Sequence, residues 1–522
     1  RWTYSQLGTG AKALASCLEE LGLQRGNAIL FFCENCAEYA LFCWAAVYME
    51  CPFVPINPRA TFSAEEVQHM LKQVCPGVIV VTEGIAASNL ETNARSELAS
   101  APVKIIMSRN NGTNVAEARG WTQLEHMRSQ KRHYFNTSKV KVFENTAIIG
   151  FTSGTTSFPK ACPKSSENLM ISTTAYRKIR NINPADRLLQ HLPGFAAMGV
   201  YISLVFWTSG ATVVYPSPKF DAAASLHAIE SEKCTHMFGV PAMVKALSMH
   251  SSIGQRTLNS LRVIELGGAE IFPEILELCV APDKLQCESV GCGWGMTEAP
   301  GPLWASLWKK GSPLIGDSVS VGTPIPGTKA KICALGSREP LNRGEEGELH
   351  VGGPQVIRGY LNGENDVFYS DGKDRWMITG DMALIDDYGE VYIIGRYKDI
   401  IIRGGQNISP ARIERCLGGI HGVEVSLKFI VVGAPDDIAG EVPVAVLKLS
   451  GNAAESSRRT IRSLQEIAMR ELGPALAPQM FLDLQEDLRL EAFPSTLSGK
   501  QRKMELAARV REYLKYHKSG VQ

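Results

Sequence analysis

The residues best suited to chemistry begin with a run of hydroxyl and glycine residues, FTSGTTSFPK, which extends from Phe151 to Lys160. Backbone N–H groups and hydroxyl groups in such a run can surround phosphate oxygens, and the lysine adds a positive charge. The run is not a Walker A loop, which has glycine before its lysine and Ser or Thr after it. Here Pro159 precedes the lysine and Ala161 follows it. Taken alone, the run is interpreted equally well as a polar turn after a strand.

Three later segments carry further groups that suit a nucleotide. The segment GWGMTE, from Gly293 to Glu298, places Trp294 between two glycines. Its indole ring can lie flat on a base, and its Thr and Glu can reach a phosphate and a Mg²⁺ ion. A glycine turn around a core tryptophan is the alternative. Asp381, in the segment TGD, can accept two hydrogen bonds from a ribose diol, and Lys500 stands alone on a Ser/Gly loop.

Helices and strands alternate in the first part of the chain. The apolar run at Ala28–Phe32 predicts a strand, and Ala37–Tyr48 predicts a helix. Strands that are separated by helices indicate a parallel sheet with crossover connections. After about residue 315, short β segments between Gly/Pro turns follow, and a new unit begins near Gly395-Arg396. We therefore predict an α/β chain with a large N-terminal domain of several sheets, residues 1–396, and a small mobile α+β domain, residues 397–522.

The composition of the 522-residue chain is that of an ordinary globular protein, with 45% hydrophobic and 20% charged residues. Lys and Arg number 54 and Asp and Glu 53, so the net charge of +1 argues against a polybasic nucleic-acid binder. The 13 cysteines, an odd number, favour reduced thiols over a disulfide framework. Because no secretory signal is visible, we expect an intracellular protein of the cytoplasm or an organelle matrix. The oligomeric state stays open.

One uncharged stretch, from Leu192 to Pro218, is long enough to cross a membrane. Prolines and glycines interrupt it, among them Pro193, Gly199 and Gly210. A buried helix near residues 195–207, followed by a strand near 211–215, explains the stretch better. We therefore predict no transmembrane segment.

Taken together and in this order, these segments resemble the motifs of the adenylate-forming superfamily. That superfamily includes acyl-CoA synthetases, coumarate–CoA ligases, firefly luciferases and peptide-synthetase adenylation domains. The resemblance extends from Tyr4 to Lys503, and the segment KDIIIRGGQNI, from Lys398 to Ile408, looks most like the fatty and medium-chain acyl-CoA synthetase branch.

The resemblance implies a role for each motif residue. The groups that would bind the β- and γ-phosphates are Thr152, Ser153, Gly154, Thr155, Thr156 and Lys160. Those that would enclose adenine are Gly267, Gly268, Ala269 and Trp294. Thr297 would contact the α-phosphate, Glu298 would hold Mg²⁺, and Lys500 would be the adenylation lysine. The remaining assignments are Asp381 and Arg396 on the ribose, Lys398 as the hinge, and Gly404 and Gly405 on the coenzyme A side.

The expected acyl pocket is apolar. Its predicted lining is Phe195, Met198, Phe238, Gly239, Ala269, Cys292, Gly293 and Met296. None of these offers the acid that the ammonium of an amino acid would need, so a fatty, medium-chain or aryl acid is favoured. Four positions depart from the family pattern: Ser157 and Ala161 replace glycines, and Ser166 and Ala196 stand where histidines are common.

The activity implied by the resemblance is a two-step ligation. A carboxylic acid and ATP would give acyl-AMP, and coenzyme A would then take the acyl group as a thioester, with ATP, Mg²⁺ and coenzyme A required. Three alternatives stay open: delivery to a carrier protein, a luciferase-like oxygenase, and an ATP-binding protein with impaired turnover, which Ser157 and Ala161 suggest.

Overall fold

The computed structural model describes most of the chain. The described residues are 1–74, 76–99, 101, 103–107, 120–128, 145–152, 158–315, 318–363, 365–418, 429–448, 454–495 and 501–518. No helix in this part of the chain combines the length and apolarity that a membrane crossing requires.

The first unit is a sheet with strand order β5-β4-β3-β1-β2-β6-β7, counted over the described residues. Its elements are α1 (Tyr4–Glu20), β1 (Ala28–Phe32), α2 (Glu38–Met49), β2 (Phe53–Pro55), the 3₁₀ turn Pro58–Phe62, α3 (Ala64–Gln73), β3 (Pro76–Val81), α4 (Gly84–Asn93), α5 (Arg95–Leu98), β4 (Val103–Ile106), β5 (Thr122–Gln123), α6 (Leu124–Arg128), β6 (Thr146–Phe151) and β7 (Ala161–Ser165). All neighbours pair in parallel except β6 and β7. The predicted strand Ala28–Phe32 is confirmed, and all five of its residues are buried, as parallel strands covered on both faces require.

The second unit is a sheet with order β16-β13-β12-β11-β10-β8-β9, again within the described ranges. Its elements are α7 (Ser166–Arg180), β8 (Arg187–Leu189), α8 (Ala197–Thr208), β9 (Thr212–Val214), α9 (Ala222–Glu232), β10 (His236–Gly239), α10 (Pro241–Ser248), the 3₁₀ turn Ile253–Gln255, β11 (Val263–Leu266), α11 (Pro273–Val280), β12 (Ser289–Gly295), β13 (Pro302–Trp308) and β16 (Thr323–Pro324), with β14 (Leu314–Ile315) and β15 (Ser318–Val319) paired separately. The uncharged stretch of the sequence becomes α8 and β9, and α8 is buried from Gly199 to Trp207. The predicted buried helix and strand are therefore confirmed.

The third unit is an antiparallel sheet with order β17-β18-β20-β19, in which β21 also pairs with β20. Its strands are β17 (Lys329–Cys333), β18 (Gly347–Gly352), β19 (Phe368–Ser370), β20 (Arg375–Ile385) and β21 (Val391–Arg396). The register of the β20–β21 hairpin sets Asp381 opposite Arg396. Two residues that are far apart in sequence are thereby fixed side by side.

The last unit follows Arg396 and is a sheet with order β23-β22-β25-β24, with β26 on β25. Its elements are β22 (Ile401–Arg403), β23 (Gln406–Ile408), α12 (Pro410–Gly418), β24 (Phe429–Asp436), β25 (Gly440–Leu447), α13 (Ala454–Leu476), β26 (Met480–Asp483) and α14 (Lys503–Lys518). The domain boundary at residue 396 stays a prediction, although every strand of this sheet lies beyond it.

One contact joins α12 to α11 of the second unit. The Arg415 guanidinium pairs with the Glu274 carboxylate and lies 4.8 Å from the centre of the Phe272 ring. A charged group that also stacks on an aromatic face has a defined orientation as well as a partner. The last unit is thus held against the second by a specific contact.

Candidate functional site

The hydroxyl-rich run forms the connection of the β6–β7 hairpin. Its neck is closed by Thr152, whose N–H donates to the Lys160 carbonyl at 3.0 Å and whose hydroxyl accepts from the Lys160 N–H at 2.9 Å. The Pro159 carbonyl accepts from Gln73 Nε2 of α3 at 3.0 Å. Ser153, Gly154, Thr155 and Thr156 lie outside the described residues, as does Ser157. The Thr152–Lys160 hydrogen bonds and α3 therefore fix the residues at the two ends of the run. The binding of phosphate by the run stays a prediction.

The second and third motifs meet at Asp381. Trp294, on β12, donates from its indole N–H to Asp381 Oδ2 at 3.1 Å, and Arg396 Nε lies 2.8 Å from Asp381 Oδ1. Asp381 is 3% exposed, and the Arg396 side chain is well exposed. Burial raises the pKa of the Asp381 carboxyl, while Arg396 and the Trp294 hydrogen bond oppose that rise. Three residues predicted to bind adenosine thus form one cluster.

The orientation of Trp294 is further fixed by Trp304 of β13. The two rings make an edge-to-face contact with centroids 5.1 Å apart, a favoured geometry for aromatic pairs. Trp304 is fully buried, and Trp294 is only partly so. Trp304 therefore fixes one side of the Trp294 indole, and another part of the ring remains accessible.

Glu298 has a partner that the sequence does not signal. The Tyr360 hydroxyl donates to Glu298 Oε1 at 2.6 Å, and Lys160 Nζ lies 4.9 Å from the centre of the Tyr360 ring. Burial and the Glu298 charge both raise the pKa of the Tyr360 hydroxyl. Tyr360 therefore stays a hydrogen-bond donor and links the predicted metal carboxylate to the predicted phosphate lysine.

The Glu298 carboxylate suits a magnesium ion that binds together with a nucleotide. Glu298 is 8% exposed, and the described residues contain no group of three or more His, Cys, Asp or Glu side chains that could hold a metal ion. Mg²⁺ commonly binds one or two carboxylates and completes its shell with phosphate oxygens and water. A single carboxylate beside a phosphate loop fits that mode.

The ends of three neighbouring strands in the second sheet carry glycines. Gly239 is the last residue of β10, Gly267 follows β11, and Gly293 lies near the end of β12. A Cβ added at Gly267 would lie 2.9 Å from the Gly293 carbonyl oxygen, so this approach requires glycine. The carboxyl ends of parallel strands form the usual ligand edge of such sheets. Gly268 and Ala269 follow at the same edge and are exposed.

The predicted acyl-pocket residues divide between the faces of this sheet. Met198 and Phe238 belong to one cluster, with Tyr176 and Tyr201. Cys292 packs with the cluster on the other face. Met296 packs near Trp294 in a third cluster, and Phe195 is half-buried just before α8. Met198 and Phe238 are thus together on one face of the sheet, and the lining of the acyl pocket stays a prediction.

A buried ion pair that the sequence analysis missed lies on the Phe238 face. Arg180 of α7 pairs through its guanidinium with Glu265 of β11, and it donates to the Ser306 carbonyl at 2.7 Å. A Cβ at Gly291 would lie 2.1 Å from Glu265 Oε2, so glycine at that position makes room for the carboxylate. No spacing in the sequence connects residues 85 positions apart, and only strand register reveals the pair.

His191 fixes the backbone at Phe238. Its Nε2 lies 2.9 Å from the Phe238 carbonyl, which can only accept, so Nε2 carries the proton. Its Nδ1 then accepts from the Ser225 hydroxyl at 3.2 Å. Complete burial lowers the pKa of His191 from 6.5 to about 4.

This shift predicts acid destabilisation with a defined sign. Since the folded pKa lies below the unfolded value, protons bind preferentially to the unfolded chain, and stability is lost as the pH falls from 6.5 towards 4. The His191 contribution to that loss should be about 2 kcal/mol between pH 7 and pH 5. Urea unfolding of the parent and of His191→Gln, which can still donate to Phe238 but cannot titrate, measures it. Equal pH sensitivity of the two proteins would contradict the prediction.

The predicted hinge and coenzyme A residues lie just beyond β21. Lys398 is exposed between Arg396 and β22. Gly404 and Gly405 form the turn between β22 and β23, with φ of +56° and +83°. Positive φ at both central residues is what a tight two-residue hairpin turn needs. The turn is exposed, and its contact with coenzyme A stays a prediction.

Lys500 lies outside the described residues, but its flanks are described. Ser495 and Gln501 form an antiparallel bridge, which closes the loop between them. Burial raises the pKa of Glu66 on α3, and the nearby Arg502 guanidinium partly opposes that rise. Arg502, just beyond this segment, is therefore near enough to α3 for its charge to act on Glu66.

Comparison with known proteins gives a consistent result. The chain is 30% identical to Acyl-CoA ligase sidI of Aspergillus fumigatus over 97% of its length and 86% of the relative. It is 27% identical to the mitochondrial Medium-chain acyl-CoA ligase ACSF2 of Danio rerio over 98% of its length and 84% of the relative.

Solved structures show the same fold. ATP-bound MatB from Rhodopseudomonas palustris superposes with a TM-score of 0.78 at 23% identity, covering 98% of this chain and 93% of that one. O-succinylbenzoate coenzyme A synthetase (MenE) of Bacillus subtilis, with ATP and magnesium, gives 0.76 at 24% identity, covering 96% and 94%. The predicted fold class is confirmed. A family model described as AMP-binding enzyme matches residues 1–361, more than half of the sequence. The chain therefore belongs to the AMP-binding enzyme family, as the sequence motifs indicated.

Proposed function

We propose that this protein is an AMP-forming acid–thiol ligase, which activates a carboxylic acid with ATP and transfers the acyl group to coenzyme A. The observation that carries the proposal is the contact between two separate motifs: Trp294 and Asp381, 87 residues apart, bond to each other. Tyr360, 62 residues from Glu298, donates to the predicted metal carboxylate. The family match and the acyl-CoA ligase relatives support it.

The first step joins the acid to the nucleotide. A carboxylate oxygen attacks the α-phosphorus, the bond from that phosphorus to the pyrophosphate oxygen breaks, and acyl-AMP and pyrophosphate result. The substrate carboxylate is already a nucleophile, so the protein contributes position and charge rather than a general base. Lys160 and Thr297 would orient the phosphates, and Glu298 would hold Mg²⁺. A bound Mg²⁺ supplies positive charge to the phosphate oxygens.

The second step uses a thiol. The sulfur of coenzyme A attacks the acyl carbonyl, the bond from that carbon to the phosphate oxygen breaks, and AMP leaves. The Gly404-Gly405 turn, on the last unit, would come to the coenzyme A side by rotation about Lys398. Such rotations are absorbed by a few φ/ψ changes at the ends of elements.

The apolar cluster around Phe238 supports a substrate class. Met198, Tyr176 and Tyr201 pack with Phe238, and the Glu265 carboxylate on the same face is already paired with Arg180, so it is not free to bind an ammonium. We infer a fatty, medium-chain or aryl acid as the substrate. The relative from Danio rerio, named a medium-chain acyl-CoA ligase, supports that class.

We also infer an intracellular location, in the cytoplasm or an organelle matrix, because ATP and coenzyme A are intracellular metabolites. The described cysteines support this inference, since all of them are free thiols.

The decisive experiment measures pyrophosphate release with ATP and Mg²⁺ across a panel of short, medium, long-chain and aryl acids. We expect acid-dependent release, with AMP and an acyl-CoA thioester formed only when coenzyme A is added. A carrier protein as the acceptor would give pyrophosphate but no product with coenzyme A. An absence of release with every acid, despite ATP binding, would favour a protein with impaired turnover and contradict the proposal.

Trp294 provides a test of the adenine site. Trp294→Ala should raise the KM for ATP by ~5–150-fold, the range expected when base–aromatic stacking is lost. Trp294→Phe keeps a ring but loses the hydrogen bond to Asp381, so it should retain most of the ATP affinity. Steady-state kinetics with varied ATP measures both variants. An unchanged KM in Trp294→Ala would place the adenine elsewhere.

A further inference from the structure

Lys164 is a buried lysine that none of the assigned roles uses. It lies on β7, the strand that leaves the phosphate loop, and only 3% of it is exposed. Side chains two residues apart on a strand project to the same face, so Lys164 shares a face with Cys162 and with Lys160 just before the strand. The loop is therefore followed by a second lysine directed to the same side as the first.

The ammonium of Lys164 lies close to the catalytic motif of β12. A Cβ added at Gly150, on the neighbouring strand β6, would lie 3.0 Å from Lys164 Nζ and 3.5 Å from Thr297 Cγ2. Glu298 is near enough that its charge raises the pKa of Lys164, although burial lowers that pKa more strongly. Lys164 thus lies at the base of the phosphate loop, beside both Thr297 and Glu298.

The protein groups around Lys164 do not fully balance the positive charge of its ammonium. Among the described residues, no acid forms an ion pair with Lys164. The nearby Glu298 carboxylate already accepts from the Tyr360 hydroxyl. Burying an ammonium is costly unless it is paired and hydrogen-bonded. A negatively charged ligand at this place would supply the missing partner.

We propose that Lys164 is a second phosphate-binding cation of this site, which interacts with the nucleotide triphosphate from the β7 side and shares the neutralisation of its charge with Mg²⁺. This inference rests on the proposed function, since it requires ATP to bind there. The lysine and the metal carry like charges beside the same carboxylate. Each therefore weakens the contribution that the other makes to ATP affinity.

This arrangement makes the Mg²⁺ dependence of ATP binding the discriminating measurement. Lys164→Met keeps the length of an apolar stem without the charge, and Lys164→Gln provides a second variant if the first folds poorly. Cys162→Ala is the matched control, because it alters a buried side chain on the same face of the same strand without removing a charge. Calorimetric titration of the whole chain with ATP, without any acid so that no turnover occurs, is carried out once with Mg²⁺ and once with EDTA.

We expect Lys164→Met to weaken ATP binding in EDTA by ~10-fold or more, the loss typical of a hydrogen bond to a charged group, and by only ~3-fold or less with Mg²⁺. Cys162→Ala should show the same ratio of the two affinities as the parent. Equal weakening under both conditions, or none, would overturn the inference and leave Lys164 a structural residue. If the parent itself binds no ATP under either condition, the proposed function fails instead.

Discussion

Lys500→Ala should lower the rate of acid-dependent pyrophosphate formation by ~10²–10³-fold, the usual cost of removing one donor that stabilises transition-state charge. Negative charge grows on the carboxylate and the α-phosphate as they join, and a lysine there meets it. The second half-reaction develops charge elsewhere. The variant should therefore convert supplied acyl-AMP and coenzyme A at nearly the parent rate.

The described flanks of the loop favour this role. The Ser495–Gln501 bridge closes the loop, and Arg502 lies near Glu66 on α3, the helix whose Gln73 contacts Pro159 of the phosphate loop. Arg502, which follows Lys500 by two positions in the sequence, therefore lies near the helix that contacts Pro159.

The control is Lys503→Ala, which removes a neighbouring lysine that pairs with Glu414 of α12 at 2.8 Å. Both half-reactions should stay within ~2-fold of the parent, because Lys503 is paired with Glu414 and has no predicted contact with a substrate. If Lys500→Ala slows both half-reactions equally, its assignment to adenylation is wrong.

Removing one member of the buried Arg180–Glu265 pair should have the largest effect on stability. Both residues are less than 10% exposed, and Glu265→Ala would leave the Arg180 guanidinium charged and buried, with the neutral Ser306 carbonyl as an acceptor. Breaking such a pair typically costs ~3–5 kcal/mol in the free energy of unfolding. Urea denaturation at neutral pH measures the loss.

A double variant separates loss of the charge pair from loss of packing. Arg180→Met combined with Glu265→Met replaces both charges by apolar groups of similar length, and it should recover most of the stability that Glu265→Ala loses. Glu512→Ala, which removes an exposed pair with Arg509 on α14, should change stability by ~0.5 kcal/mol or less. A double variant as unstable as the single one would show that packing, not the unpaired charge, sets the cost.

Much of the fold could be predicted because local patterns and burial agree. The strand at Ala28–Phe32 is apolar throughout since both of its faces are covered, and α8 is uncharged since it is buried within its unit. The motif residues Trp294 and Asp381 could be named before their contact was known, because the segments that carry them resemble the motifs of the adenylate-forming superfamily.

The residues that escaped prediction depend on long-range register. Lys164 stands in a polar segment, CPKSSEN, and lysines are almost always exposed, so only the pairing of β6 with β7 shows that it is buried. Tyr360 and Glu265 likewise acquire their partners through contacts between distant elements. The lining of the acyl pocket was harder still to predict. Successive side chains of a strand point to opposite faces of the sheet, and Cys292 lies on the face opposite Phe238.

The Asp381–Arg396 pair has a consequence for the order of events in turnover. In the proposed site, a ribose hydroxyl that donates to Asp381 would compete with Arg396 for Oδ1 and with Trp294 for Oδ2, and Arg396 is two residues before Lys398. Binding of the nucleotide and rotation of the backbone at Lys398 would then be coupled. Such coupling acts equally in both directions. If the proposed hinge and ribose contact are right, tighter nucleotide binding would bias the rotation at Lys398, and that rotation would alter the residence time of AMP. Release of AMP and the return rotation of the small domain would accordingly occur in the same kinetic step.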